Sequence, residues 1–185
     1  LFPSRRKLCF IRTWRHRLRV TSIVPEGDSV TSVYMTGRDV DLLGAQAGQF
    51  FCWRFLGRDG WTRGNPYSLS AAPDGRSLRI SVKALGDNSA RTPAIRRGTP
   101  VMFEGPYGRL SDRARTRAKV AFIGAGVGVA PLRALAEGMD YAPGEAVLIH
   151  RFTTSPVFER EFAVLAAERG LVTHSVAGPR RAGSW

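Results

Sequence analysis

The sequence predicts two domains: a six-stranded antiparallel barrel over residues 16–110, then an α/β domain with a parallel sheet over residues 118–185. Three observations lead there. Before residue 110, six short apolar runs alternate with a period of two and are separated by Gly, Pro and Asp. After residue 118, strand-like runs alternate with runs of helical period. Between them, residues 111–117 are polar and basic and read as a linker, and residues 1–15 read as a basic arm.

The barrel strands are expected, in order, at Arg17–Val24, Ser29–Thr36, Gly48–Phe55, Asn65–Ser70, Ser77–Lys83 and Pro100–Glu104. Pro25-Glu-Gly-Asp28 is read as the first turn. Residues 88–97 suggest a short helix interrupted by Pro93, capped by Ser89 or Asn88. In the second domain, strands are expected at Lys119–Ile123, Glu145–His150 and Leu171–Val176, with helices at Val129–Met139 and Phe158–Arg169. Three parallel strands make half of an ordinary doubly wound sheet, so this domain is expected to be incomplete.

Composition narrows the function classes. The chain has 185 residues, 43% hydrophobic and 23% charged, with a formal net charge of +13. That is the profile of a folded, soluble protein, and no run of 18 apolar residues suggests a membrane span. Two distant cysteines, Cys9 and Cys52, lack metal-ligand spacing, and His16, His150 and His174 lack partners for a metal site, so no metal is expected. Arg5, Arg6, Lys7, Arg12, Arg15, Arg17 and Arg19 crowd the first 20 residues without an acid among them. That run suits a juxtamembrane stretch on the cytoplasmic side, a solvated arm, or an arm that binds nucleic acid.

Gly124-Ala-Gly-Val-Gly-Val-Ala-Pro131 lies between a strand and a helix. Glycines let the backbone approach a ligand closely, and a helix N-terminus offers N–H groups to a phosphate. Val129 stands where the common dinucleotide fingerprint has its third glycine, and no Gly-Lys-Ser/Thr follows, which excludes a Walker loop. Arg63, Asn65 and Tyr67 would share one strand face. Gly86, Asn88 and Ser89 form a second loop with amides available to an anion, and Glu104-Gly-Pro-Tyr-Gly108 closes the barrel.

In this order the motifs resemble the ferredoxin–NADP+ reductase superfamily, whose Greek-key flavin barrel precedes a nicotinamide-nucleotide domain. Asn65-Pro-Tyr-Ser68 matches its Arg-x-Tyr-Ser/Thr motif, Gly86 to Ser89 its second flavin-phosphate loop, and Gly124 to Pro131 its nicotinamide pyrophosphate loop. The wording Asn-Pro-Tyr-Ser-Leu-Ser-Ala-Ala-Pro is most similar to the branch fused to a ferric-reductase-type transmembrane haem domain. The resemblance implies FAD and NAD(P)H as cofactors. Electrons would pass to a haem domain of the same parent polypeptide, at the cytoplasmic face of a membrane, or to another one-electron acceptor such as an iron–sulfur partner.

It also implies roles. Tyr67 would flank the isoalloxazine ring and Ser68 its N5 edge. Pro66 would sit beside the flavin, backbone groups around Val82 and Lys83 would line its ribityl or phosphate portion, and Gly86, Asn88 and Ser89 would receive its pyrophosphate. Gly124, Gly126, Val127, Gly128 and Pro131 would cradle the nicotinamide nucleotide, and Arg151 would read its adenosine phosphate. Asn65 departs from the family's Arg or His, leaving Arg63 to supply that charge. The family's last strands, with a Cys-Gly-Pro-like segment, are absent, so the chain is expected to be a fragment. The alternative is a non-catalytic basic barrel that binds nucleic acid or an anionic membrane. The buried look of Phe50, Phe51, Trp53 and Phe55 disfavours nucleic acid.

Overall fold

The computed structural model describes residues 13–57, 60–61 and 64–178, with only the backbone at 60–61. The start of the basic arm, Arg63 and the Arg180-Arg181 pair lie outside the described residues.

Alternating sequence becomes alternating burial. The strands are β1 (Arg19–Gly27), β2 (Val30–Thr36), β3 (Phe50–Gly57), the two-residue β4 (Gly60–Trp61), β5 (Asn65–Ser68), β6 (Ser77–Lys83) and β7 (Val101–Tyr107). Hydrogen-bonded neighbours run β1-β2-β6 and β5-β3-β7, all antiparallel. Bridges from Leu69 to Ile80 and from Arg19 to Pro100 join the two sheets. The order is therefore β1-β2-β6-β5-β3-β7, a six-stranded barrel whose sequence neighbours are not all spatial neighbours.

In β3 every second side chain, Phe51, Trp53 and Phe55, is buried. Phe51, Trp53 and Phe103 pack with ring centroids 4.9 to 6.2 Å apart. Trp53 Nε1–H donates to the Tyr67 carbonyl at 3.0 Å, so the core tryptophan also fixes β5.

The first turn is later than the sequence suggests. β1 runs through Pro25 to Gly27, with an irregularity at Pro25–Gly27. The reversal falls on Asp28 and Ser29, both left-handed at φ 47° and 58°. That is the two-residue turn whose twist matches paired strands. A proline in an edge strand with an irregularity costs no ladder bond, which is why it does not end the strand. His16, the first residue of the expected barrel span, is buried, with Nδ1 3.0 Å from the Arg38 carbonyl oxygen.

The second half follows β8 (Val120–Ala125), a 3-10 turn at Gly126–Val129, α2 (Ala130–Gly138), β9 (Ala146–Phe152), α3 (Glu159–Arg169) and β10 (Val172–Ala177); the shorter α1 (Asp87–Ala90) lies in the barrel half. The sheet is parallel, in the order β10-β9-β8. Phe122 and Leu148 of the sheet pack with Val129, Leu135 and Ala136 and with Phe158, Phe162 and Leu165. The opposite sheet face is open: Ile123 is 71% exposed.

Four charged residues bind the two halves. Arg79 of β6 is buried, 4% exposed, with Nε–H donating to Ser70 Oγ at 3.0 Å and Nη2–H to the Ser70 carbonyl at 2.6 Å. Its Nη1 donates to Tyr34 Oη and to both carboxylate oxygens of Glu161 on α3, at 2.9 and 3.0 Å. Arg133 of α2 places Nε 2.6 Å from Glu161 Oε2 and donates from Nη1 and Nη2 to Glu137. Glu137 accepts the Ala72 backbone N–H at 2.6 Å. One carboxylate thus serves two buried guanidinium groups from different halves.

Removing a partner from such a pair leaves a buried charge uncompensated, a loss of about 3 kcal/mol. Glu161→Ala is therefore expected to lower unfolding stability by about that amount in urea titrations, whereas a change at exposed Glu159 leaves it within about 0.5 kcal/mol.

Candidate functional site

The segment Asn65–Ser68 is β5 itself, paired with β3 so that Tyr67 lies opposite Phe51 and Asn65 opposite Trp53. Tyr67 is half-buried and packs against the barrel core, and that burial raises its phenol pKa. Pro66 is exposed, and Asn65 and Ser68 are partly buried. The partner sought for Asn65, Arg63, lies outside the described residues. Another guanidinium reaches this strand: a Cβ on Gly64 would sit 3.0 Å from Cζ of Arg54, which also pairs with Glu104 at 2.7 Å.

At the end of β6 the side chains are taken up within the fold. Val82 is buried, and Lys83 turns its Nζ to Asp28 Oδ2 at 2.5 Å, so this cation is spent on the first hairpin. The next loop differs. Its N-cap is Gly86, not Asn88 or Ser89, and α1 is a single turn, followed by a separate 3-10 turn at Thr92–Ala94. Ser89 Oγ accepts the N–H groups of Leu85 and Gly86 at 2.9 and 3.0 Å and donates to the Gly86 carbonyl. Ser89 therefore satisfies its own loop, as the third residue of a capping box does. Gly86 has open space where a Cβ would stand.

The glycine turn is built from unequal glycines. Gly124 ends β8 under the helix: a Cβ there would meet Leu132 Cδ1 at 2.9 Å and Val129 Cα at 3.1 Å. Gly126 is left-handed at φ 50°, and neither Gly126 nor Gly128 has an atom within 4 Å of a Cβ position. One glycine is needed inside for packing, and two leave backbone bare toward the outside. Pro131 sits in the first turn of α2, where no N–H is missed. The turn packs against β6 as well as β8 and β9, so it reaches the barrel. Arg151 of β9 is partly buried, its Nη2 3.5 Å from the Gly178 carbonyl oxygen.

The structure thus brings β5, β6 and the glycine turn to adjoining places. Sequence reading missed the ties holding them, Arg79, Arg133, Glu137 and Glu161. Two signals were available: an arginine inside the apolar run Ser77–Lys83, and the i,i+4 pair Arg133–Glu137.

No protein-family model matches the chain. Among curated proteins it is 31% identical over 139 residues to a flavohemoprotein of Candida albicans, across 69% of this chain and 35% of that protein. A flavohemoprotein of Rhizobium meliloti is 29% identical over 156 residues, across 78% and 38%. The chain spans little more than a third of these relatives. Among solved structures, the flavohem-like FAD/NAD-binding domain of a Vibrio cholerae nitric oxide dioxygenase superposes with a TM-score of 0.72 at 21% identity, covering 92% of this chain and 82% of that one. A Neisseria gonorrhoeae ferredoxin NADP+ reductase with bound FAD and NADP gives 0.70 at 16%, covering 89% and 72%. The chain has the ferredoxin–NADP+ reductase-like fold.

Within that fold, the unequal glycines yield a direct expectation. Gly124→Ala forces a methyl against the backbone of Val129 and should cost about 1–3 kcal/mol, read in urea unfolding. Gly128→Ala, into open space, should cost under about 1 kcal/mol. Equal losses at the two positions would refute the assignment of packing and exposed roles.

Proposed function

We propose that this chain is the electron-transfer module of a FAD-dependent NAD(P)H oxidoreductase. The carrying observation is the outward-bare turn at Gly126 and Gly128, packed against β6 of the barrel. The flavohemoprotein relatives and the neighbour with bound FAD and NADP support the same reading.

The residues fit these cofactors. Bare glycine backbone with a helix behind it suits a pyrophosphate, and Tyr67 offers a half-buried ring edge to a flat aromatic partner. Flavin supplies the hydride acceptance and one-electron release, so no acid–base side chain is required. This chain's part is alignment and exclusion of water. Tyr67 and Ser68 face the flavin ring, with Asn65 and Pro66 beside them. The β6 end at Val82 and Lys83 and the loop at Gly86, Asn88 and Ser89 follow the flavin's phosphate arm through backbone groups. Gly126, Val127, Gly128 and Pro131 take the dinucleotide, with Gly124 packed beneath them to let the helix approach and Arg151 near the adenosine end.

The acceptor we propose is haem on another domain of the same polypeptide, as the name flavohemoprotein suggests for the relatives. The cationic run from Arg5 to Arg19 supports placing that domain at a cytoplasmic membrane face. Among the described residues no helix is long and apolar enough to cross a membrane.

Purified protein incubated with FAD and desalted should retain visible flavin absorption, and anaerobic NADH or NADPH should bleach it. Tyr67→Ala should weaken FAD retention about tenfold, by the loss of ring contact. Protein that stays colourless and does not take up FAD would refute the proposal.

A further inference from the structure

The barrel has two unlike ends. Arg19 of β1 stands opposite Thr36 at the end of β2, Thr36 opposite Ser77 at the start of β6, and Arg19 bridges to Pro100 just before β7. Those positions mark one end. At the other, Val30 pairs with Lys83, the loop with Gly86 and Ser89 follows, and Val30 packs into the core of the second half. The loops read above as cofactor sites therefore lie away from the first end.

Three separate stretches bring arginines to that first end. Arg15, Arg17 and Arg19 come before and into β1, Arg38 follows β2, and Arg96 and Arg97 precede β7. All six are exposed, and none forms an ion pair with another described residue. Asp39 and Asp41 follow Arg38, and Asp74 accepts the N–H groups of Arg76 and Ser77 in its own turn, so positive charge still prevails. The cluster is pinned to the barrel. His16 and Leu18, which alternate with the arginines, are buried; the Arg38 N–H donates to the His16 carbonyl at 2.7 Å, and Arg19 Nη1 donates to the Gly98 carbonyl at 2.8 Å. Residues 13–16 form a helical turn, closed by the Arg17 N–H on the Thr13 carbonyl at 2.9 Å, with Arg17 left-handed at φ 45°. On that turn Trp14 is 73% exposed, its ring centroid 5.4 Å from Cζ of Arg17. A tryptophan held in water by a fixed backbone among cations matches the boundary between lipid headgroups and hydrocarbon, where one side is apolar and the other wet.

We propose that this end of the barrel docks on a bilayer surface carrying anionic lipid headgroups, with the arginines against the headgroups and the Trp14 ring at their level. Arginine stems lie along apolar surface while their guanidinium groups stay polar-side, and each basic residue near such a surface adds about fivefold to the attraction. A nucleic acid fits less well. Single strands stack their bases on successive aromatics, and among the described residues Trp14 is the one exposed aromatic at this end. Docked this way, the barrel keeps its cofactor loops away from the lipid. The inference does not use the flavin reading, and it gives the membrane placement proposed above a surface that reaches beyond the basic run.

The test is cosedimentation of the full 185-residue chain with vesicles of phosphatidylcholine alone or with about a third phosphatidylserine, at about 0.1 M salt. Wild type should bind only the anionic vesicles and leave them at about 1 M salt. The double variant Arg38→Gln/Arg97→Gln, both positions outside the run Arg5 to Arg19, should bind about twentyfold more weakly. Tryptophan emission should shift to the blue on anionic vesicles, and Trp14→Phe should remove the shift. A double variant that binds as wild type does, a blue shift that survives Trp14→Phe, or wild type that ignores anionic vesicles overturns the proposal. Tighter binding to a DNA duplex than to the vesicles, lost in the same double variant, makes the partner a nucleic acid and overturns it as well. Should the double variant fail to fold, each single variant carries the test, with about a fivefold loss expected. Flavin retention is measured apart from the vesicles, so either reading can fail alone.

Discussion

Glu161 is the point on which both halves of this molecule hang. A guanidinium 4% exposed, Arg79, would be strongly disfavoured in the interior without an anion. Burial pulls the Arg79 pKa down, but the bonds to Glu161 and Tyr34 more than offset this, and the net movement is upward. Arg79 and Arg133 both need the same carboxylate, so α3 must dock where β6 and α2 meet. The Arg79 guanidinium also lies 5.2 Å from the Phe158 ring centroid and 5.6 Å from that of Tyr34, which encloses it further. Such a cluster is weak evidence for net stability but strong evidence for a defined arrangement, because few other packings satisfy four charges at once.

The consequence reaches the site. Ser70 and Ala72 directly follow β5, and they are gripped by Arg79 and Glu137. The helix carrying Arg133 and Glu137 begins at the end of the glycine turn. At the far end of that helix, a Cβ on Gly138 would stand 2.9 Å from that of Ala72, an approach that a larger residue would block. Two segments that would hold different cofactors are thus connected through Arg79, Arg133, Glu137 and Glu161. For a reaction whose rate depends on aligning two rings, such rigid connection is what the protein can contribute.

The barrel was legible because period-two burial is written directly into runs such as Phe50–Phe55 and Ser77–Lys83. The parallel sheet was legible from the switch of period and from the glycine turn. Where the reading slipped, a local rule lost to a tertiary one. Pro25 reads as a stop, yet an irregular edge strand tolerates it, and Asp28-Ser29 turns instead. Ser89 reads as an N-cap, yet the cap is Gly86 and the Ser89 hydroxyl is committed to the N–H groups of Leu85 and Gly86. The ionic bridge was hidden because no periodicity marks residues that meet across 82 positions of chain, as Arg79 and Glu161 do.

Native-state hydrogen exchange at Ala72 tests the central claim most directly. Among the described residues its amide is held by Glu137 alone, a residue of the other half. If the bridge makes the halves one cooperative unit, Ala72 exchanges with the same opening free energy as amides of β3 and β9, and Glu161→Gln lowers all three together. An Ala72 amide that exchanges freely while β3 and β9 stay protected would contradict the account.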